Sequence, residues 1–165
     1  MLGSITFLSD LLMEALPNIH LVGVLTVIYT IVFKFKALIP TYVYVFLTGF
    51  FYGFNLWWVP YLYIWRPLWG MAMLVPRRLP PRVAAVVYPI ICALHGICYG
   101  TLYAPAQALM MGLDFKATVA WIISGLSFDV IHAVGNLVLG VMAYPLALLL
   151  RQLMYKTRYY RTRRV

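Results

Sequence analysis

Acidic side chains are scarce in this chain of 165 residues: Asp and Glu together number 4, at Asp10, Glu14, Asp114 and Asp129. Charged residues of either sign make up 10% of the sequence against 64% hydrophobic ones, and the mean hydropathy is +0.89. That is far too apolar for a soluble domain of this length. No Gly-x-x-x-x-Gly-Lys-Ser/Thr loop occurs, so the chain cannot itself draw on ATP. His-Glu-x-x-His and Gly-x-Ser-x-Gly are missing too, which leaves a hydrolytic enzyme without a metal pair or nucleophile. There are 2 cysteines, Cys92 and Cys98, whose six-residue separation within one apolar segment points them to different helix faces. They read as packing residues rather than a disulfide or metal pair. The first residues carry no basic region and no small-residue cleavage pattern follows, so no signal peptide is expected, and no internal repeat is evident.

Basic residues are plentiful by comparison, with 13 Lys and Arg and a net charge of +9. They fall into alternate hydrophilic gaps: Lys34 and Lys36, then Arg77, Arg78 and Arg82, then Arg151, Lys156, Arg158, Arg161, Arg163 and Arg164. Only Lys116 lies in an intervening gap and only Arg66 within a span. Because translocating positive loops is disfavoured, this alternation predicts a multi-pass plasma-membrane protein with both termini cytoplasmic. It also accounts for the charge without nucleic acid as a partner, and places the tail from Tyr155 to Val165 at anionic lipid headgroups.

A helical crossing of the hydrocarbon takes about 20 apolar residues, and the hydrophobic breaks predict six. The first runs from Met1 to Leu16, the second from His20 to Phe33, the third from Leu38 to Phe54 and the fourth from Trp57 to Pro76; the fifth begins near Val83 and the sixth ends near Leu150. The first two are short, which implies tilt, local thinning or an incomplete amino end. Breakers at Pro105, Gly112 and Gly125 predict an irregular excursion over Tyr103 to Ser127 on the extracellular side, partly re-entering the membrane as a lid or wall. The expected fold is thus a single all-α transmembrane domain over residues 1–150 followed by a basic cytoplasmic tail, 151–165.

Polar groups inside such spans are costly and therefore candidates for function. Asp129, His132 and Asn136 recur at i, i+3 and i+7 and share one face of the sixth span with Gly125 and Gly140. They form either an interhelical hydrogen-bond cluster or the wall of a ligand pocket. In the fourth span Trp58, Tyr61 and Trp65 share a face; Trp57 and Trp58 fit an interfacial belt, but Trp65 lies about 12 Å deeper at 1.5 Å per residue. An aromatic wall beside hydrogen-bonding groups suits a planar organic ligand. Tyr44, Thr48, Tyr52 and Asn55 form a stripe on the third span, and Tyr88, Cys92, His95 and Tyr99 one on the fifth. Gly96, Gly100 and Ala104 read as a close-contact seam. Arg66 is expected to pair with Asp10, Glu14 or Asp129, and the remaining acid surplus favours a ligand with a protonatable nitrogen. Gln107 completes the candidate set. No cofactor or metal is called for.

Four stretches carry a family resemblance: Leu-Pro-Asn-Ile-His-Leu at 16–21, Tyr-Gly-Phe-Asn-Leu-Trp-Trp-Val-Pro-Tyr-Leu-Tyr-Ile-Trp at 52–65, Gly-Thr-Leu-Tyr-Ala-Pro-Ala-Gln-Ala at 100–108, and Gly-Leu-Ser-Phe-Asp-Val-Ile-His-Ala-Val-Gly-Asn at 125–136. In these the chain resembles the substrate-binding (S) components of energy-coupling factor transporters, six-helix bacterial and archaeal proteins that capture vitamins and related micronutrients. The resemblance implies an outward-opening pocket built from the later helices. It also implies a transmembrane coupling protein and two cytoplasmic ATPases as partners, which topple the loaded subunit, with no enzymatic activity in this chain. The Ala-x-x-x-Ala contact motif of the family's first helix is not present, which points to a variant coupling surface or a missing amino-terminal part. The alternatives from other classes are an intramembrane enzyme using Asp129 and His132, and a membrane assembly subunit.

Overall fold

The computed structural model describes residues 1–76 and 78–162, with side chains through residue 156. Arg77, Arg163 and Arg164 of the charge pattern, and the side chains of Arg158 and Arg161, lie outside the described residues.

All regular structure among the described residues is helical: α1 (Leu2–Leu12), α2 (Val22–Phe33), α3 (Leu38–Tyr52), α4 (Tyr61–Leu74), α5 (Pro81–Ile97), α6 (Tyr99–Met111), α7 (Phe115–Gly140) and α8 (Ala143–Thr162). The boundaries have local causes. A 3-10 turn over Lys34–Ala37 parts α2 from α3, entered at Lys34 with φ 56°, and the Trp69 indole holds it by donating to the Lys34 carbonyl at 3.2 Å. Pro81 opens α5, where its missing N–H costs nothing. Gly112 closes α6 in the left-handed region at φ 65°, and two residues later Asp114 caps α7 by accepting the Ala117 N–H at 2.7 Å.

Among the described residues, three helical stretches are long and apolar enough to cross a membrane: 22–52, 81–111 and 115–140. The first contains the Lys34 break, so it is two helices rather than one rod. The second is α5 and α6 joined through Cys98 alone. Its 31 residues rise about 46 Å, well beyond the roughly 30 Å of a hydrocarbon core.

The expected irregular excursion over 103–127 does not form. Apart from residues 112–114 this segment is helix, the distal halves of an α6–α7 hairpin. Pro105 and Gly125 sit inside helices, because neighbouring helices compensate for the weakened ladder in an apolar setting. The span ends shift likewise: α1 stops at Leu12 rather than Leu16, Trp57 and Trp58 belong to a separate 3-10 turn before α4, and α8 runs unbroken past 150 into the basic tail.

The α5–α6 and α7–α8 rods pack antiparallel. A Cβ on Gly140 would meet Pro89 at 2.8 Å and one on Gly96 the Ala133 backbone at 2.8 Å, so small residues let the two backbones touch. Tyr88 stacks on Tyr144 at 6.3 Å, extending the pairing into α8. Cys92 is buried and Cys98 exposed, both free thiols. Aromatic donors tie the helices together, Tyr42 to the Leu62 carbonyl (2.7 Å), Tyr63 to that of Leu102 (2.9 Å) and Trp58 to that of Val45 (2.8 Å).

The burial pattern of α7 is inside-out. Its buried positions are Asp129, His132, Gly135, Asn136 and Gly140, while Val130, Ile131, Val134 and Val138 are exposed. Polar residues inward and branched aliphatics outward are compatible with lipid as the surroundings.

Candidate functional site

The inward stripe of α7 meets α5, α6 and the α1–α2 connection. Asp129 Oδ1 accepts the Gly100 N–H at 2.9 Å. A Cβ at Gly100 would stand 2.5 Å from the other carboxylate oxygen, so the glycine seam makes room for Asp129 as well as for packing. Two turns along, Asn136 Nδ2 donates to the Cys92 carbonyl at 3.2 Å. Between them the His132 ring lies 4.7 Å from that of Tyr99 and 4.7 Å from that of His20. His20 arrives from the loop after the Pro17–Asn18 turn, where Asn18 takes φ 61°, a conformation Asn tolerates better than most residues. Ile19 beside it packs against Gly135.

Trp65 is the hub of this centre. Only 2% of it is exposed, and its ring touches those of His95 (5.7 Å), Tyr61 (5.8 Å), Tyr44 (5.9 Å), His20 (6.2 Å) and Tyr99 (6.2 Å). His95 is fully buried and its Nε2 lies 2.8 Å from the Ile64 carbonyl oxygen. That oxygen only accepts, so Nε2 carries the proton and Nδ1 is left as a lone-pair acceptor.

Among the described residues, six buried side-chain atoms have no hydrogen-bond partner within the protein: His20 Nδ1, Trp65 Nε1, His95 Nδ1, Asp129 Oδ2, His132 Nε2 and Asn136 Oδ1. All six belong to this one centre. Unpaired buried polar atoms each cost about 1–3 kcal/mol, so their concentration here makes this centre the candidate site. Among the described residues no group of three or more His, Cys, Asp or Glu is placed to hold a metal ion.

Two clefts flank the centre. One, of about 420 Å³, lies between α1, α3 and α4 and is lined by Asp10, Glu14, Thr48, Tyr52, Trp57 and Tyr61. The other, of about 200 Å³, lies over α6 and α7 and reaches Asp129 past Asn18, Tyr99, Tyr103, Trp121 and Gly125. Tyr103 and Trp121 stack at 6.0 Å on its rim, and the Tyr103 hydroxyl donates to the Trp57 carbonyl at 2.7 Å, tying the two clefts together. Residues of the segment expected as a lid or wall line this cleft, and they do so from helices.

The sequence-predicted residues divide accordingly. Asp129, His132, Asn136, Trp65 and His95 converge on the buried centre. Tyr61 faces both the centre and the larger cleft. Glu14 is exposed and lines only that larger cleft. Trp58 sits off the face it was expected to share, its indole spent on the Val45 carbonyl and its ring on Phe54 at 4.9 Å. Asn55 is exposed in the turn after α3, and Gln107 is half-buried on α6 and lines neither cleft. The expected ion pair of Arg66 is overturned: its Nε donates to the Tyr42 hydroxyl at 2.6 Å and its guanidinium lies 5.7 Å from that ring, on the exposed side of α4. Asp10 accepts instead from Tyr44 at 2.9 Å. Sequence reasoning misses His20 as a site residue because it precedes α2 and carries no helical periodicity; its signals are a histidine two residues after a Pro-Asn pair and its place in the 16–21 stretch of the resemblance.

Comparison with known proteins yields no match: no protein-family model fits the chain, and no curated protein or solved structure is significantly similar.

Proposed function

We propose that this chain is the substrate-specificity subunit of a membrane importer of the energy-coupling factor type. It binds a small, planar, nitrogen-containing nutrient of vitamin-like chemistry from outside and leaves ATP hydrolysis to partners. The observation that carries the reading is the concentration of six unpaired buried polar atoms around Trp65, next to a cleft walled by aromatic rings. A cleft lined largely by aromatic rings beside a few unmet hydrogen-bonding groups is a common form of a small-molecule site. A plain assembly subunit gives no reason to leave such atoms unmet, and an intramembrane enzyme using Asp129 and His132 lacks a nucleophile among the residues that meet there.

In this reading α1, α2, α3, α4, α5–α6 and α7–α8 are six crossings of the plasma membrane, residues 1–150 form one domain, and both termini are cytoplasmic. The positive charge at Lys34, Lys36, Arg78, Arg82 and Arg151 supports the orientation, and Arg151 is drawn to the Ile31 carbonyl at 2.5 Å, beside the Lys34 turn. Single cysteines at Asn18, Asn55 and Asp114 in a cysteine-free background should react with an impermeant maleimide on intact cells, and those at Lys36 and Leu79 should not. External labelling at Leu79 rules out this topology.

The partners are one transmembrane coupling protein and two cytoplasmic ATPases. Native mass spectrometry of the chain purified from its host membrane should reveal a co-purifying small molecule, bound with a Kd on the order of micromolar or tighter. Deleting the ATPases should abolish uptake of that molecule and leave its binding intact. A chemically altered product formed by the purified chain alone would replace the transport reading with the enzyme.

A further inference from the structure

With the buried centre as the substrate pocket of the proposed importer, its unpaired atoms have a defined hydrogen-bonding sense. Asn136 spends its amide N–H on Cys92, so its free end is the carbonyl oxygen. His95 spends its N–H on Ile64, so its free end is a lone pair. Asp129 has one oxygen on the Gly100 amide and the other, Oδ2, without a partner. With Asp129 as the carboxylate, three of the unpaired atoms are acceptors and one, Trp65 Nε1, is a donor, while His20 Nδ1 and His132 Nε2 take either role by choice of tautomer.

Charge points the same way. Among the described residues no Lys or Arg lines either cleft, whereas Asp129 lines one and Asp10 and Glu14 the other. Around the mouth to Asp129 stand the rings of Tyr99, Tyr103 and Trp121, whose faces attract cations. An anionic ligand would bring a like charge to Asp129 and leave every free acceptor unmet, which sites with fixed acceptors reject strongly.

Resting on that assignment of the pocket, we infer that the occupant is a planar organic cation bearing N–H donors, an amidinium or amino-substituted nitrogen heterocycle, held by Asp129 Oδ2 against the Tyr99, Tyr103 and Trp121 wall. Molecules whose recognition group is a carboxylate or phosphate are excluded. The cleft that reaches Asp129 has about 200 Å³, room for a cation of one ring.

Benzamidinium, benzamide and benzoate are near-identical in shape and differ in charge and donors, which makes them suitable probes of the full-length purified chain in nanodiscs. Saturation-transfer NMR and thermal melting should rank benzamidinium first, in the millimolar range, about tenfold or more ahead of benzamide because a charge-assisted hydrogen bond is lost, and benzoate last. Asp129→Asn keeps an oxygen for the Gly100 amide and should erase the advantage of benzamidinium over benzamide. On the wild-type protein, independently of how any variant folds, magnetisation transfer from benzamidinium should reach the Trp121 ring. Benzoate ranking first, benzamide equalling benzamidinium, no benzamidinium binding up to its solubility limit, or transfer to Trp57 instead of Trp121 each overturns the inference. Uptake that persists without ATPases counts against the importer alone, since this selectivity is read on the isolated chain; reversed selectivity counts against the cation alone.

Discussion

Trp65→Ala should cost the protein on the order of 3–5 kcal/mol, the range for removing a fully buried large aromatic. Five rings meet its indole, and two of their owners, His20 and His95, carry unpaired atoms of their own, so the void cannot close by apolar collapse. Trp65→Phe should behave in the opposite way. It keeps most of the ring contacts and deletes an indole N–H that has no partner within the protein, which makes it close to neutral or slightly stabilising for the empty chain. If that unpartnered N–H is a contact of the proposed ligand, affinity should nevertheless fall. Thermal melts and binding isotherms on both variants separate the two contributions. A Trp65→Phe protein as unstable as Trp65→Ala, with affinity unchanged, would make Trp65 a packing residue only.

Gly96→Leu should be the most damaging substitution on the α5 seam. Even a methyl group there falls 2.8 Å from the Ala133 backbone, and backbone, unlike a side-chain tip, has no rotamer through which to yield. Overpacking of this kind costs typically about 1–3 kcal/mol for small additions and more when rods must separate. Parting α5–α6 from α7–α8 also draws Gly100 away from Asp129, so binding and stability should fall together. Gly70→Leu is the matched control: a Cβ there meets nothing within 4 Å, and the residue lines neither cleft. A detergent melt showing equal losses for the two would mean that α5 and α7 do not touch through glycine.

Legibility in the sequence differs residue by residue. Asp129, His132 and Asn136 are legible because a helix repeats every 3.6 residues, so their spacing alone fixes a common face. Trp65 is legible from depth, as a tryptophan too far from the boundary for a belt. His20 is not, since a loop residue has no period and its place depends on the αL turn at Asn18. Arg66 escapes charge counting, which assumes a buried cation in want of an anion, whereas the side chain leaves the interior and lies over Tyr42. The segment 103–127 misleads for a related reason: Pro105 and Gly125 break isolated helices in water, but not here, where α6 and α7 support one another.

The antiparallel register of the last two rods also dictates when the molecule becomes complete during its synthesis. Gly100 and Asp129 are 29 positions apart, and Trp65 stands far ahead of the aspartate, so the ribosome has delivered most of the protein before the carboxylate can reach its amide. Until then His20, Trp65 and His95 have no α7 to shield them. In the membrane topology proposed above, the nascent amino-terminal helices would then be the vulnerable intermediate, with polar faces to be kept from hydrocarbon until the carboxyl-terminal hairpin arrives. Truncations that end before Asp129 should be recognised by membrane quality control as unassembled rather than tolerated as smaller bundles.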